Sequence, residues 1–321
     1  MSKGSWQARL GSFNLLGLLV ATVALYAYFT WRLPRSFLTF PNIETIAVQA
    51  TVTSMAALGM TLIIVVGAID LSIGSTVALT TVVIALALQN HPAWVALLYG
   101  VGAGTAAGLV NGLLITRLRV MPFIVTLGTM QVVRGIARGL GHDSTVDAPK
   151  TWLNEILTAV SKKEQWKLFP PGVWFMIGMA VLVGLLLWRT VFGRNVVAVG
   201  SNEQAARVSG VNSQNVKLGA FVIAGLLTGL AGLMQFSRLK VGDPTVAAGL
   251  ELDVIAAVVI GGGSLNGGQG SVIGAVIGAI FMTTMGNGFA QIGLPEWVQY
   301  IVKGAIIVLA VALDRVRASG E

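Results

Sequence analysis

Apolar positions along the chain run together for about twenty residues at a time and are interrupted by short polar breaks. A helix needs about 20 apolar residues to cross the hydrocarbon core of a bilayer. On that scale the runs predict about ten transmembrane helices, near 13–31, 45–67, 71–88, 94–116, 121–140, 172–189, 218–237, 251–263, 270–288 and 296–313. The fold class is therefore an all-α polytopic membrane bundle, a single transmembrane domain over 1–321. The uncharged stretch from Val254 to Pro295 must fold back at the Gly-rich segment 261–270. The run before that turn is too short for an ordinary span, so a tilted, broken or re-entrant element is expected there.

Glycine spacing adds close packing to this picture. Gly100, Gly104, Gly108 and Gly112 recur every fourth residue, as do Gly270, Gly274 and Gly278, and Gly225 with Gly229. Glycines four apart share one helix face and let two backbones approach.

Composition agrees with a membrane protein. Only 11% of the residues are charged, against about 25% in a soluble domain. The net charge of +8 is explained by basic residues at span ends and anionic headgroups, so lipid and not nucleic acid is the expected contact. There is no cysteine, which excludes a disulfide framework or thiolate metal site. The first span follows Lys3 and Arg9, exceeds the apolar length of a signal peptide and is followed by no small-x-small cleavage site, so it is expected to stay attached. With the N-terminus inside, ten basic residues fall in the cytoplasm and eight outside. Four of the eight (Lys150, Lys162, Lys163, Lys167) share the loop 141–171 with Asp143, Asp147, Glu155 and Glu164. The short inner loops are basic with few acidic neighbours, so both termini are placed in the cytoplasm. Within 141–171, Trp152, Leu153, Ile156, Leu157 and Val160 follow helical spacing and predict an outer amphipathic helix.

One polar island, about 190–217, separates two apolar runs. Asn202 is a capping residue, Glu203 to Arg207 are helix formers, and Gly210 stops the helix about two turns on. A short exposed helix held between spans is a handle for a partner.

Candidate chemistry is sparse. No phosphate-binding Gly-x4-Gly-Lys-Ser/Thr loop occurs, so this chain is not itself an ATPase. His91 and His142 lie far apart and form no ligand cluster, so no metal or catalytic site is expected. Asp70, at a junction of two spans, either lines a pathway or caps the following helix beside Ser72. Arg134 and Arg138 lie where Arg side chains reach the interface. Lys303 sits deeper and needs a partner, with Asp253 nearest by depth. The runs show hardly a carboxylate at mid-depth, unlike an ion-coupled carrier. Polar residues in apolar runs mark Asp70, Ser72, Asn111, Gln131 and Asn287 as translocation-pathway candidates.

Three segments then carry a specific resemblance: Gly67-Ala-Ile-Asp-Leu-Ser-Ile-Gly-Ser75, the island Gly193–Gly210, and Leu252–Gly270. In that order they resemble the ribose-type sugar ABC importer permeases, from about residue 40 onward. Glu203-Gln-Ala-Ala206 followed by Gly210 is similar to the Glu-Ala-Ala-x3-Gly coupling loop of that family, with Gln204 as a departure. The resemblance implies ATPase coupling by Asn202, Glu203, Ala205, Ala206, Arg207 and Gly210. It also implies a separate cytoplasmic ATPase carrying the ATP and Mg, a periplasmic solute-binding protein, and a second permease subunit in a bacterial inner membrane. This chain itself is expected to bind no cofactor. The implied solute is a monosaccharide or related polyol such as ribose, xylose, galactose or myo-inositol. Autoinducer-2 or branched-chain amino acids as solute, and an autonomous channel or ion-coupled carrier, are the alternative readings.

Overall fold

The computed structural model describes residues 4–160 and 167–318. Twelve α-helices run in the order α1 (Gly4–Arg32), α2 (Phe40–Val65), α3 (Ile73–Asn90), α4 (Ala93–Leu118), α5 (Pro122–Leu140), α6 (Pro171–Arg189), α7 (Val191–Ser201), α8 (Glu203–Val208), α9 (Ser213–Leu239), α10 (Leu250–Ile260), α11 (Val272–Gln291) and α12 (Glu296–Ala318). Ten of these fall on the ten apolar runs, and the other two, α7 and α8, form the polar island. By length and composition α1, α2, α4, α6, α9 and α11 are each sufficient to cross a membrane. Local chemistry sets many of the ends. Thr39 caps α2, whose first turn holds Pro41, Asn212 accepts from the Asn215 amide at the start of α9, and Ser271 accepts from the Gly274 amide at the start of α11.

Helix α2 is the hub. Its spanning segment is 89% buried inside the bundle, against 22% for α4. The glycine stripes find one another as their spacing requires. A Cβ on Gly104 would lie 2.5 Å from the Gly229 Cα, and one on Gly225 would lie 2.8 Å from the Gly108 Cα. So α4 and α9 pack backbone to backbone. Gly274 and Gly278 in the same way admit Gly261 and Ala257 of α10. Gly108→Leu is expected to separate α4 from α9 and cost about 1–3 kcal/mol or more, read as a lower unfolding midpoint in detergent. Gly102→Leu, where a Cβ meets nothing, should leave that midpoint unchanged.

The short run near 251–263 forms α10, which with the irregular stretch 241–249 before it makes one broken element. After Lys240, in the left-handed region, residues 241–249 leave the helix. Val241–Gly242 pairs antiparallel with Val146–Asp147. The Asp243 amide donates to Thr81 Oγ1 at 3.1 Å. Arg134 Nη1 donates to the carbonyls of Pro244 (3.0 Å) and Val246 (2.7 Å), so this side chain turns into the bundle and not toward the interface expected from sequence. Helix α10 then completes the descent, and the turn 261–271 reaches the α7 end of the molecule. There the Gly268 amide donates to the Val65 carbonyl at 2.8 Å. Gly267 and Gly268, both at positive φ, sit against Gly67, Gly200 and Ser201. Irregular backbone inside a helix bundle is stable only where the protein satisfies it, and Arg134 and Thr81 do so here.

The amphipathic helix expected over Trp152–Val160 is not formed. Only a 3-10 turn, Trp152–Asn154, is present, although Leu153 and Leu157 are buried as the spacing implied. The backbone groups that would bond along a helix bond across the fold instead. Leu157 N–H donates to Ser237 Oγ (2.9 Å), Val160 N–H to Glu44 Oε1 (2.6 Å), and the Ile156 carbonyl accepts from Gly172. Lys162, Lys163 and Glu164 of this loop lie outside the described residues.

Candidate functional site

The polar island folds as two short helices against the end of the bundle. Thr190 caps α7 by accepting from the Gly193 amide, and Val196 and Val199 bury that helix on the core. The chain then turns at Asn202, whose Oδ1 accepts from the Ala205 N–H at 2.9 Å and starts α8. Gly210 ends the turn at φ +86 with open space around its missing Cβ, so backbone conformation alone demands glycine there.

Glu203 is the electrostatic centre of this unit. Its Oε1 accepts from Arg207 Nη2 (2.7 Å) and its Oε2 from Lys217 Nζ (2.6 Å), tying α8 to α9. Arg207 Nε also donates to Ser213 Oγ at 2.8 Å. Burial pushes the Glu203 carboxyl up, but the Lys217 bond and charge, with bonds from Ser213 and Arg207, outweigh it and hold it below its ordinary value.

The two alanines of α8 part company. Ala206 faces the core and is buried, whereas Ala205 and Gln204 are exposed. Val208, which sequence reasoning passed over, is 90% exposed. The outward face of α8 thus carries Gln204, Ala205 and Val208 above an ionic base. An apolar residue inside the polar island was the signal for Val208.

Among the pathway candidates, three come together. Asp70 Oδ1 accepts from the Ser72 amide (2.8 Å) and hydroxyl (2.6 Å), and Asn111 Nδ2 donates to Ser72 Oγ at 2.8 Å. All three are buried, forming a turn before α3 that is locked to α4. Gln131 lies apart and exposed on α5. Asn287 lies on α11, where its Oδ1 accepts from Gln291, and lines a polar cavity.

The expectation of hardly one interior carboxylate needs correction. Besides Asp70, the broken element brings in Glu251 and Asp253, which the sequence places next to a span end. Lys303 Nζ donates to Asp253 Oδ2 at 2.7 Å, joining α12 to α10. Glu251 Oε1 accepts from the Gly249 amide, and its Oε2 is buried with no partner among the described residues.

A bundle of helices, six of them long and apolar enough to cross a membrane, with a broken element beside them and a capped, ion-paired short helix at one end, is a polytopic membrane protein. The chain belongs to the family described as branched-chain amino acid transport system / permease component, whose model matches residues 42–311. It is 36% identical over 319 residues to the L-arabinose ABC transporter permease protein AraH of Azospirillum brasilense, covering 98% of this chain and 90% of that one. It is 35% identical to the ribose import permease protein RbsC of Bacillus subtilis, covering 97% and 94%. It is 32% identical to the xylose transport system permease protein XylH of Escherichia coli, covering 92% and 90%. No solved structure matches the chain. The resemblance to the ribose-type permeases is therefore borne out across almost the whole length.

Proposed function

We propose that this chain is the membrane permease subunit of an ATP-driven importer for a monosaccharide, with α7 and α8 on the cytoplasmic side. The observation that carries this reading is the near-full-length similarity to permeases named for arabinose, ribose and xylose. The geometry supports it. A separate ATPase, holding the ATP and Mg, docks on the outward face of α8. A solute-binding protein delivers the sugar to the opposite end, and a second copy of the chain completes the pathway. Closure of the ATPase pair pushes α8 as a rigid body. Glu203 passes that push to α9 through Lys217, and α7 passes it to the broken element through Gly200 and Ser201, which abut the 261–271 turn.

Reconstitution into vesicles tests this. ATP-dependent pentose accumulation is expected only when the chain is combined with its ATPase and loaded binding protein. Flux through the chain alone would mark an autonomous channel, and accumulation of leucine in place of a pentose would mark an amino-acid carrier. Because the chain has no cysteine, Ala205→Cys gives a single thiol, expected to react with an impermeant maleimide only from the cytoplasmic face.

A further inference from the structure

The half of the bundle remote from α8 contains a cavity of about 240 Å³, bounded by α2, α9, α11, α12 and the unwound stretch before α10. Its walls hold polar groups that the protein leaves without partners. Gln235 is only 3% exposed and lines the cavity, yet among the described residues no hydrogen bond satisfies its amide. The same is true of the Gln49 amide. Most helical threonines in this chain return their hydroxyl to the preceding turn, as Thr51, Thr61, Thr116 and Thr228 do. Thr53 and Thr283 do not, and both line this cavity. The Asn287 carbonyl is taken by Gln291, and among the described residues nothing accepts from its NH₂.

Gln49, Thr53, Thr283 and Asn287 are only partly buried, so their polar groups are open to water or to a ligand in the cavity. On the wall Asp253 is paired to Lys303, while Arg238 has no ion-pair partner among the described residues. Arg238 adds a planar fork of donors, which suits adjacent hydroxyls as well as carboxylates. The volume lies below the ~300–1,000 Å³ of drug-sized sites, and suits a solute of about ten to twelve non-hydrogen atoms.

We infer that this cavity is a transient binding station for one neutral monosaccharide. In it the Gln49, Gln235 and Asn287 amides and the Thr53 and Thr283 hydroxyls meet the sugar's hydroxyl groups. The station lies beside the break in the spanning element, so Val246, Ala247 and Ala248 form part of its wall and movement of that segment opens or closes it. The assignment rests on the sugar-permease reading and adds to it a location and a ligand chemistry.

Thr53→Cys in the otherwise cysteine-free chain is the direct probe, assembled with its ATPase and binding protein. A saturating neutral pentose is expected to slow alkylation of this thiol by about three- to tenfold, whereas the matching aldonate and a diol of two carbons leave it unchanged. Gln235→Leu is expected to lower pentose uptake by about three- to tenfold while ATPase association stays at the wild-type level. A wild-type complex that accumulates pentose, with no protection of the Thr53→Cys thiol, overturns the station and leaves the permease reading standing. Stronger protection by the aldonate than by the pentose overturns the neutral-ligand assignment. A wild-type complex that accumulates no sugar overturns both.

Discussion

Glu203→Lys is expected to abolish solute uptake while the chain still reaches the membrane in normal amounts. The carboxylate it removes holds Arg207 and Lys217 at 2.7 and 2.6 Å, so the substitution puts three cations where one anion joined two. Helix α8 loses its tie to α9 and its presented face shifts. A charge reversal that deforms a docking surface weakens association, and a clear loss is expected in co-purification with the ATPase. Ala205→Trp should block docking by bulk alone, since its side chain projects from the exposed face and touches none of the ionic base. A tryptophan at Ala206 would enter the core instead and report on packing. Normal ATPase association of both Glu203→Lys and Ala205→Trp refutes docking at α8.

The same cluster sets a pH dependence. The folded structure holds the Glu203 carboxyl below its ordinary value of 4.5. Its contribution is therefore complete above that value and is lost only as pH falls through the lowered one. Association with the ATPase should stay level through mild acid and fail below the ordinary glutamate range. A midpoint near neutrality would assign control to another group.

Much of this architecture is legible in the sequence because it depends on short-range signals. Ten of the helices follow from apolar runs, six of them long and apolar enough to cross a membrane, and α8 follows from Asn202 and Gly210, whose capping and stopping chemistry acts within two turns. The meeting of the Gly104/Gly108 and Gly225/Gly229 stripes is legible in part, since spacing shows a close-packing face but not its partner. What is hidden depends on residues far apart in the chain. The break at 241–249 is held by Arg134 and Thr81, more than a hundred residues upstream, so no local signal announces it. That break carries Glu251 and Asp253 inward and creates the polar cavity, which explains why the sequence marks Asn287 but not its cavity neighbours Gln49, Thr53 and Gln235. The inward turn of Ala206 is hidden for another reason. In a helix of six residues, periodicity is too short to tell the buried face from the presented one.

Lys303→Ala tests how the broken element is fastened. Its ammonium is the only cation bonded to Asp253 among the described residues, and the pair joins α12 to α10 across the cavity wall. Removing one partner of a fully buried pair costs about 3–5 kcal/mol. These side chains keep 26% and 23% of their exposure, so the expected loss is smaller, about 1–3 kcal/mol and on the order of 5 °C in unfolding midpoint. Asp253→Asn combined with Lys303→Gln removes both charges at similar volume and should recover most of that stability. Uptake should behave differently, because both side chains line the cavity and exchanging them alters its wall as well as the fold. The double variant is therefore expected to unfold near the wild-type midpoint yet remain impaired in transport. Full recovery of both would reduce the pair to a structural fastening, and a wild-type midpoint in Lys303→Ala alone would show that water already satisfies Asp253.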